Sequence, residues 1–336
     1  MSSADQYRVL REGAGVFDAS AERGRLRLSG ADRRAYLQGL LTNDIVALTP
    51  GTGCYSAYLT AQGRMIADMR IFELGDALLV DLPAGVTGSV RDKWTMFIFS
   101  EDVQIQDRSA ATAQIGIYGP HASHVLADAL QEELPQPPLR RDALDSMPVH
   151  ACATVPFHGA PAIVLRTDDA GAGGFDVVIA AEHKDAFIAR LLANGGVSVG
   201  LDAVEICRVE AGRPRFGVDM TEDTIPLEAG IEARAISLTK GCYVGQEIII
   251  RVLHRGQGRV ARRLVGLSMD TPSDVPPRGA VISSGERTVG AITSAVRSAA
   301  LDRVIALGYV HRDFAAPGTT LGVGGTAATV TAVPFV

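Results

Sequence analysis

Lysine is nearly missing from this 336-residue chain. Of its 32 cationic residues only Lys93, Lys184 and Lys240 are lysines, and the rest are arginines. In a chain also rich in alanine and glycine this reads first as compositional drift, and it makes each surviving lysine worth locating. Cysteine is scarce as well. Cys54, Cys152, Cys207 and Cys242 lie far apart, with no CxxC pair and no metal-ligand spacing, so neither a disulfide framework nor a metal centre is expected. No stretch approaches the ~20 apolar residues of a membrane-spanning helix. The first residues hold no apolar run of the secretory kind, so a cytoplasmic protein without membrane contact is expected. A net charge of −6 lacks the cationic excess of a broad nucleic-acid surface, although 251–263 (RVLHRGQGRVARR) is locally basic. What the chain has in quantity is apolar material. At 47% hydrophobic it can build a sizeable core, and its length suggests roughly two or three domain-sized units.

Hydrophobic periodicity organises the chain. GRLRLSG alternates as a short strand, and Asp32 is placed to cap a helix through Tyr36 and Leu40. CYSAYL (54–59) and MIADMRIF (65–72) flank TAQGR as a hairpin with Gly63 in its turn. A third strand is expected over 77–82, a helix with Trp94 over 90–99, a short strand over 103–107, and a strand at 115–118 leading into a helix over 121–130. Four prolines make 131–148 a surface connection. Strands at 162–166 and 176–180, a helix over 182–194 and a helix over 204–211 follow. Beyond a proline-rich linker at 268–279, short strands with glycine and proline turns suggest a small terminal β-barrel. The expected division is a region 1–265 of two α+β subdomains and a barrel domain 280–336.

Most candidate motifs have ordinary explanations. GAGG at 171–174 lacks the Lys-Ser/Thr of a phosphate loop and fits a turn. His121 and His124 share a helix face but have no third ligand in view. Asp68 alternates with apolar neighbours and Asp176 follows a glycine turn. Each faces either water or a pocket, where it could hold an N–H donor. Glu210 and Arg213 are spaced as a surface pair. The richest segment is 239–259. There Lys240 lies two residues from Cys242, Gly241 and Gly245 imply unusual backbone or close approach, and a helix beginning near Gln246 could aim its N-terminus at the loop. Both the cation and the helix would favour a thiolate at Cys242; the plain alternative is a buried structural cysteine.

Taken together these segments resemble a known family. KGCYVGQE (240–247) resembles the signature of YgfZ-type folate-binding proteins, relatives of the glycine-cleavage T-protein. LQGLLTNDI (37–45), GTGCYSAYLTAQGRMIADMRIF (51–72), GAGGFDVVI (171–179), RVEAGRPRFGVDMTEDTIPLEAGI (208–231), IALGYVHRDFAAPGTTL (305–321) and the terminal VPFV are similar to that superfamily along almost the whole chain. The resemblance implies a T-protein-like ring of α+β subdomains around a folate channel, closed by the small barrel. Where aminomethyltransferases carry paired aspartates this chain has Ala67-Asp68. Where they carry an arginine before RxEAG it has Val204, and their pterin-facing glutamate corresponds to Asp176. These departures favour the YgfZ branch.

The resemblance then implies a protein that binds tetrahydrofolate or a one-carbon derivative and serves iron–sulfur client or assembly proteins, with tRNA modification downstream and no direct nucleic-acid contact. Asp176 and Asp68 would hold the pterin, and Glu210 would be a further folate-binding residue. Arg251 and Arg255 would meet the folate tail. Cys242 would react, supported by Lys240 and by the motif residues Gly241, Tyr243, Gly245, Gln246 and Glu247. No metal site is implied. The alternatives are an aminomethyltransferase of the T-protein kind and a scaffold whose folate pocket has become structural.

Overall fold

The computed structural model describes residues 1–131, 139–254, 259–270 and 273–336. Two open sheets, flanking helices and one closed barrel make up an α+β fold with a C-terminal β-barrel. The expected hairpin forms, with Gly53–Leu59 and Met65–Glu73 antiparallel and Ala57 opposite Asp68. Gly63 turns it at φ +73°, a backbone that favours glycine. Leu78–Pro83, Arg23–Ser29 and Gln104–Asp107 complete this five-stranded sheet. The six-stranded sheet runs Val197–Ser198, Gly15–Asp18, Thr112–Tyr118, Gly174–Ala180, Ala160–Thr167 and Cys152–Phe157.

The strand Met65–Glu73 positions the site. All nine of its residues are buried, which requires packing on both faces. Side chains alternate across a strand. Ala67, Met69 and Ile71 enter a core with Leu37 and Trp94. Asp68, Arg70 and Phe72 therefore take the other face, toward the second sheet, where Phe72 packs with Leu165 and Val178. Two charged residues are thus placed between two sheets by the same pattern that buries their neighbours.

Some boundaries differ from the sequence pattern. The polar N-terminus forms a helix, Ser3–Glu12, closed by a reciprocal cap between Ser2 and Asp5. Its Tyr7 and Leu10, one turn apart, supply the buried face. Asp32 precedes the helix Arg33–Leu40 but makes no cap bond; its carboxylate instead accepts from the Asp102 backbone N–H at 2.8 Å. Within the connection expected at 131–148, Arg141–Ser146 is a short helix, and 132–138 lie outside the described residues. The barrel takes its first strand from Arg262–Met269, ahead of the expected linker. A limit of 280 therefore omits one strand of six.

Two buried carboxylates join the barrel to the rest. Asp219 accepts from Arg208 at 2.7 Å and from the barrel hydroxyls of Thr293 and Ser294 at 2.6 and 2.7 Å. Glu210, the last residue of the helix Leu201–Glu210, accepts from Tyr7, from Arg11 and from the barrel's Ser298. Its backbone carbonyl also receives the N–H of Phe335 at 2.7 Å.

Candidate functional site

A cavity of about 450 Å³ opens where the two sheets meet; Phe17, Arg70, Tyr118, Asp176, Val204 and Phe216 are among the residues lining it. Arg70 is the centre of its charged wall. Its Nη2 donates to Asp176 Oδ2 at 2.6 Å and to Asp81, and its Nη1 donates to Thr167 at 2.7 Å. Tyr118 donates to Asp176 Oδ1 at 2.6 Å, and Gln114 to Asp176 Oδ2 at 3.1 Å. Asp81 is held from the other side by Arg23 at 2.7 Å. Burial pushes the Asp81 carboxyl up, but Arg23 and Arg70 outweigh it and hold Asp81 below the usual carboxylate range. Asp176, expected to face a ligand, is thus already engaged at both oxygens.

Asp68 stands differently. It is 7% exposed and is not among the residues lining that cavity, although Arg23 and Asp169, which act on its charge, both are. Tyr55 donates to its Oδ2 at 2.8 Å, while Oδ1 is buried without a partner. Burial raises the Asp68 carboxyl above its ordinary value of 3.8. Around Tyr55 the fold gathers residues that sequence reasoning missed. Arg234 lies over its ring at 4.8 Å and pairs with Asp169 at 2.8 Å. His150 lies parallel to the same ring. Among the described residues His150 is one of three non-glycine residues with positive φ, at 67°; its Nδ1 is buried without a partner, and burial lowers its pKa. A strained, half-buried histidine in a loop has no local sequence signal; only the fold brings it to Tyr55.

The octapeptide 240–247 divides in two. Lys240 turns inward, and its ammonium donates to the backbone carbonyls of Gln38, Leu41 and Asn43 at 2.6, 2.6 and 2.8 Å. All three of its protons are therefore engaged at the C-terminal end of the helix Arg33–Leu40, where a cation complements the helix dipole. Burial pulls its pKa down to about 8, and the three carbonyl acceptors favour the ammonium at neutral pH. The expected support for Cys242 is thus corrected: Lys240 caps a helix, and its ring neighbour is Tyr243, 5.2 Å from ammonium to centroid. Cys242 is exposed, whereas burial lifts the thiols of Cys54, Cys152 and Cys207 to about 12, 11 and 12.

The remaining motif residues also sort by placement. Gly245 has φ +83°, and a Cβ there would meet the Thr60 carbonyl at 2.5 Å, so glycine is required. Gly241 has open space around it. Gln246 and Glu247 begin the helix Gln246–His254.

Lys240→Arg should lower stability by about 2 kcal/mol, because a planar guanidinium cannot serve three converging carbonyls and leaves buried acceptors unmet. The same change at exposed Lys93, or at Lys184 paired with Asp18, should leave the melt close to that of the wild type. Thermal melts of the three variants read this directly, and equal melts would reduce the lysine count to composition.

The other expected ligands are dispersed. Arg251 pairs with Glu247 at 2.9 Å on an exposed helix face, and Arg255 lies outside the described residues. Glu210, expected among the folate-binding residues, instead anchors the barrel through Tyr7, Arg11 and Ser298, and Arg213 pairs with Asp168 instead of with it. Gly171 brings its turn against the Cys207 carbonyl, which accounts for GAGG without phosphate. His124 pairs with Asp128 at 3.4 Å. Among the described residues no group of three or more His, Cys, Asp or Glu is set to hold a metal, and no helix is long and apolar enough to cross a membrane.

Comparison with known proteins agrees with this architecture. Residues 1–240 match the GCVT N-terminal domain, and 262–336 match the glycine cleavage T-protein C-terminal barrel domain. The chain is similar to the aminomethyltransferase of Synechocystis sp., 30% identical over 323 residues that cover 95% of this chain and 83% of that one. It is likewise similar to the aminomethyltransferase of Cutibacterium acnes, 31% identical over 328 residues covering 96% and 86%. Its fold matches the crystal structure of glycine cleavage system aminomethyltransferase T from Bartonella henselae with a TM-score of 0.88, across 100% of this chain and 90% of that one at 24% identity.

Proposed function

The chain belongs to the glycine cleavage T-protein family, and on that premise we propose that it works on tetrahydrofolate and moves a one-carbon unit, as an aminomethyltransferase does. The names of its relatives support this reading over an accessory role. The observation that carries it is Asp68, a buried carboxylate with one oxygen fixed by Tyr55 and the other free. Ionising an acid in such a place costs stability, and a free acceptor there suits a ligand N–H. The neighbouring cavity, walled by Phe17, Val204 and Phe216, suits a flat heterocycle.

When bound, tetrahydrofolate supplies the nitrogen nucleophile. The protein's part is to hold that nitrogen and to take its proton at Asp68 Oδ1. Burial raises the proton affinity of this carboxylate, which is what a general base needs. The Tyr55 hydroxyl keeps the carboxylate in one rotamer. The aspartate missing at 67 does not weaken this reading, because Ala67 faces the core on the opposite side of the strand.

Calorimetric titration with tetrahydrofolate tests the shared premise, and release of methylenetetrahydrofolate from an aminomethyl-lipoyl carrier tests the transfer. Saturable heat and product are expected; absence of saturable heat overturns the reading. Trp94 is fully buried in a separate core, so heat is the better signal than its fluorescence.

A second reading, a YgfZ-type folate-binding accessory of iron–sulfur client or assembly proteins in the cytoplasm, is favoured by one observation, the exposure of Cys242 within KGCYVGQE. A single cysteine cannot hold a cluster alone, so that role requires a partner or glutathione. Cys242→Ala separates the two. The transferase reading expects folate affinity and transfer within about two-fold of wild type. The accessory reading expects intact folate binding and a fall in the host's aconitase-type activities.

A further inference from the structure

A second cavity, of about 480 Å³, opens between the same two sheets and shares no lining residue with the first. The strand pattern produces it. Leu26 and Leu28 enter the core with Trp94, so Arg25 and Arg27 take the opposite face of Arg23–Ser29 and look toward the second sheet. Arg27 stands between Leu79 and Gln106 on the neighbouring strands. In the facing sheet Val178 is paired with Ile163. Leu74, Leu79, Ile163 and Val178 make an apolar floor, continuous with Phe72 and Leu165.

The charged lining is of one sign. Arg25, Arg27 and Arg108 line the cavity, and among the described residues no carboxylate does, in a chain whose net charge is −6. Arg25 is 1% exposed. It donates to the backbone carbonyls of Arg23, Ser109 and Thr112 at 2.7, 2.7 and 3.2 Å, and to the Thr112 hydroxyl at 2.9 Å. These oxygens satisfy its protons but leave its charge uncancelled, because Asp81 and Asp107 act on it only from beyond ion-pair distance. Through Ser109 and Thr112 the same guanidinium fixes the turn that carries Arg108. Arg108 is exposed, and among the described residues nothing pairs with its guanidinium. Arg27, by contrast, is held by Asp76 at 2.6 Å. A gap that held only water would gain nothing from a buried cation without a counter-ion, which costs stability. An apolar floor with one uncancelled cation in the wall and one free cation at the mouth is complementary to an anion with an apolar body.

We propose that this second cavity binds a small amphipathic carboxylate, its aliphatic body on Leu79, Ile163 and Val178 and its carboxylate at Arg108, with the charge of Arg25 behind it. The site does not depend on the folate reading, since the two cavities have separate walls.

Octanoate is the probe, titrated by calorimetry into the full chain, with octylammonium and acetate as controls for charge and for the apolar body. Saturable heat at one octanoate per chain is expected, at least roughly ten-fold tighter than either control. Arg108→Gln should weaken octanoate roughly ten-fold and should titrate tetrahydrofolate as the wild type does. Ala160→Glu, which puts a carboxylate at a half-buried position of the lining, should abolish octanoate binding. Should Ala160→Glu fail to fold, Arg108→Gln at its exposed position still decides. Saturating tetrahydrofolate should leave octanoate affinity within about two-fold. Absence of saturable octanoate heat, equal binding of octylammonium, or unchanged affinity in Arg108→Gln overturns the proposal. So does displacement of octanoate by tetrahydrofolate, which would put the probe in the first cavity and leave the folate reading standing.

Discussion

Asp68→Asn should lower kcat/KM for one-carbon transfer by about 10²–10⁴-fold, the usual contribution of a positioned general base, while raising the melting temperature. The two effects share a cause. Burial raises the Asp68 carboxyl above 3.8, so at neutral pH the folded protein carries a charge that the unfolded chain carries more easily in water. Asparagine removes that charge and keeps a carbonyl for the Tyr55 hydroxyl. As pH falls, native Asp68 takes its proton before the unfolded chain does. Ionisation therefore costs stability above the raised folded pKa, and the cost fades toward 3.8 and below. The stability gain of the variant should shrink over the same window. Transfer by the wild type should rise with pH through that raised pKa. Calorimetric melts at neutral and acidic pH, beside initial rates, read all of this. A variant that loses activity and melts lower would mark Asp68 as a structural acid. A variant that keeps its activity would remove it from the chemistry.

Much of this site was legible in the sequence, but only where the signal is local. The hairpin around Gly63 follows from alternation and turn chemistry. The same alternation, once Ala67, Met69 and Ile71 are known to be core, sends Asp68 and Arg70 to the other face. What Arg70 does there was not legible, because its partners Thr167 and Asp176 are 97 and 106 residues away. Lys240 shows the same limit more sharply. Two residues of sequence separation pointed to Cys242, but the acceptors that fix the ammonium lie 202, 199 and 197 residues upstream. A lysine's long stem lets its charge leave its sequence neighbours altogether. His150 offered no periodicity and no motif. The N-terminal helix was a different kind of miss, since Ser2 and Asp5 already stood at capping-box spacing.

Glu210→Ala should cost about 3–5 kcal/mol, the range for breaking a buried ion pair from one side. Glu210 is fully buried, while the Arg11 side chain is 29% exposed. Arg11 can therefore recover some hydration, and the lower end of the range is expected. The remaining losses are less recoverable. The hydroxyls of Tyr7 and Ser298 both give up their acceptor, and they sit on the N-terminal helix and the barrel respectively. One carboxylate thus joins three parts of the chain, and its removal should loosen the barrel before the sheets. Calorimetry should show a lower or split transition, and limited proteolysis should cut first between the helix Leu201–Glu210 and the barrel. Ser298→Ala, which removes one donor and leaves the ion pair, should cost only about 1 kcal/mol. Below the melting transition, Glu210→Ala should keep tetrahydrofolate affinity within about two-fold, because both oxygens of this carboxylate are already taken by Tyr7, Arg11 and Ser298. A variant that melts like wild type but no longer binds the ligand would return Glu210 to the role the sequence first suggested.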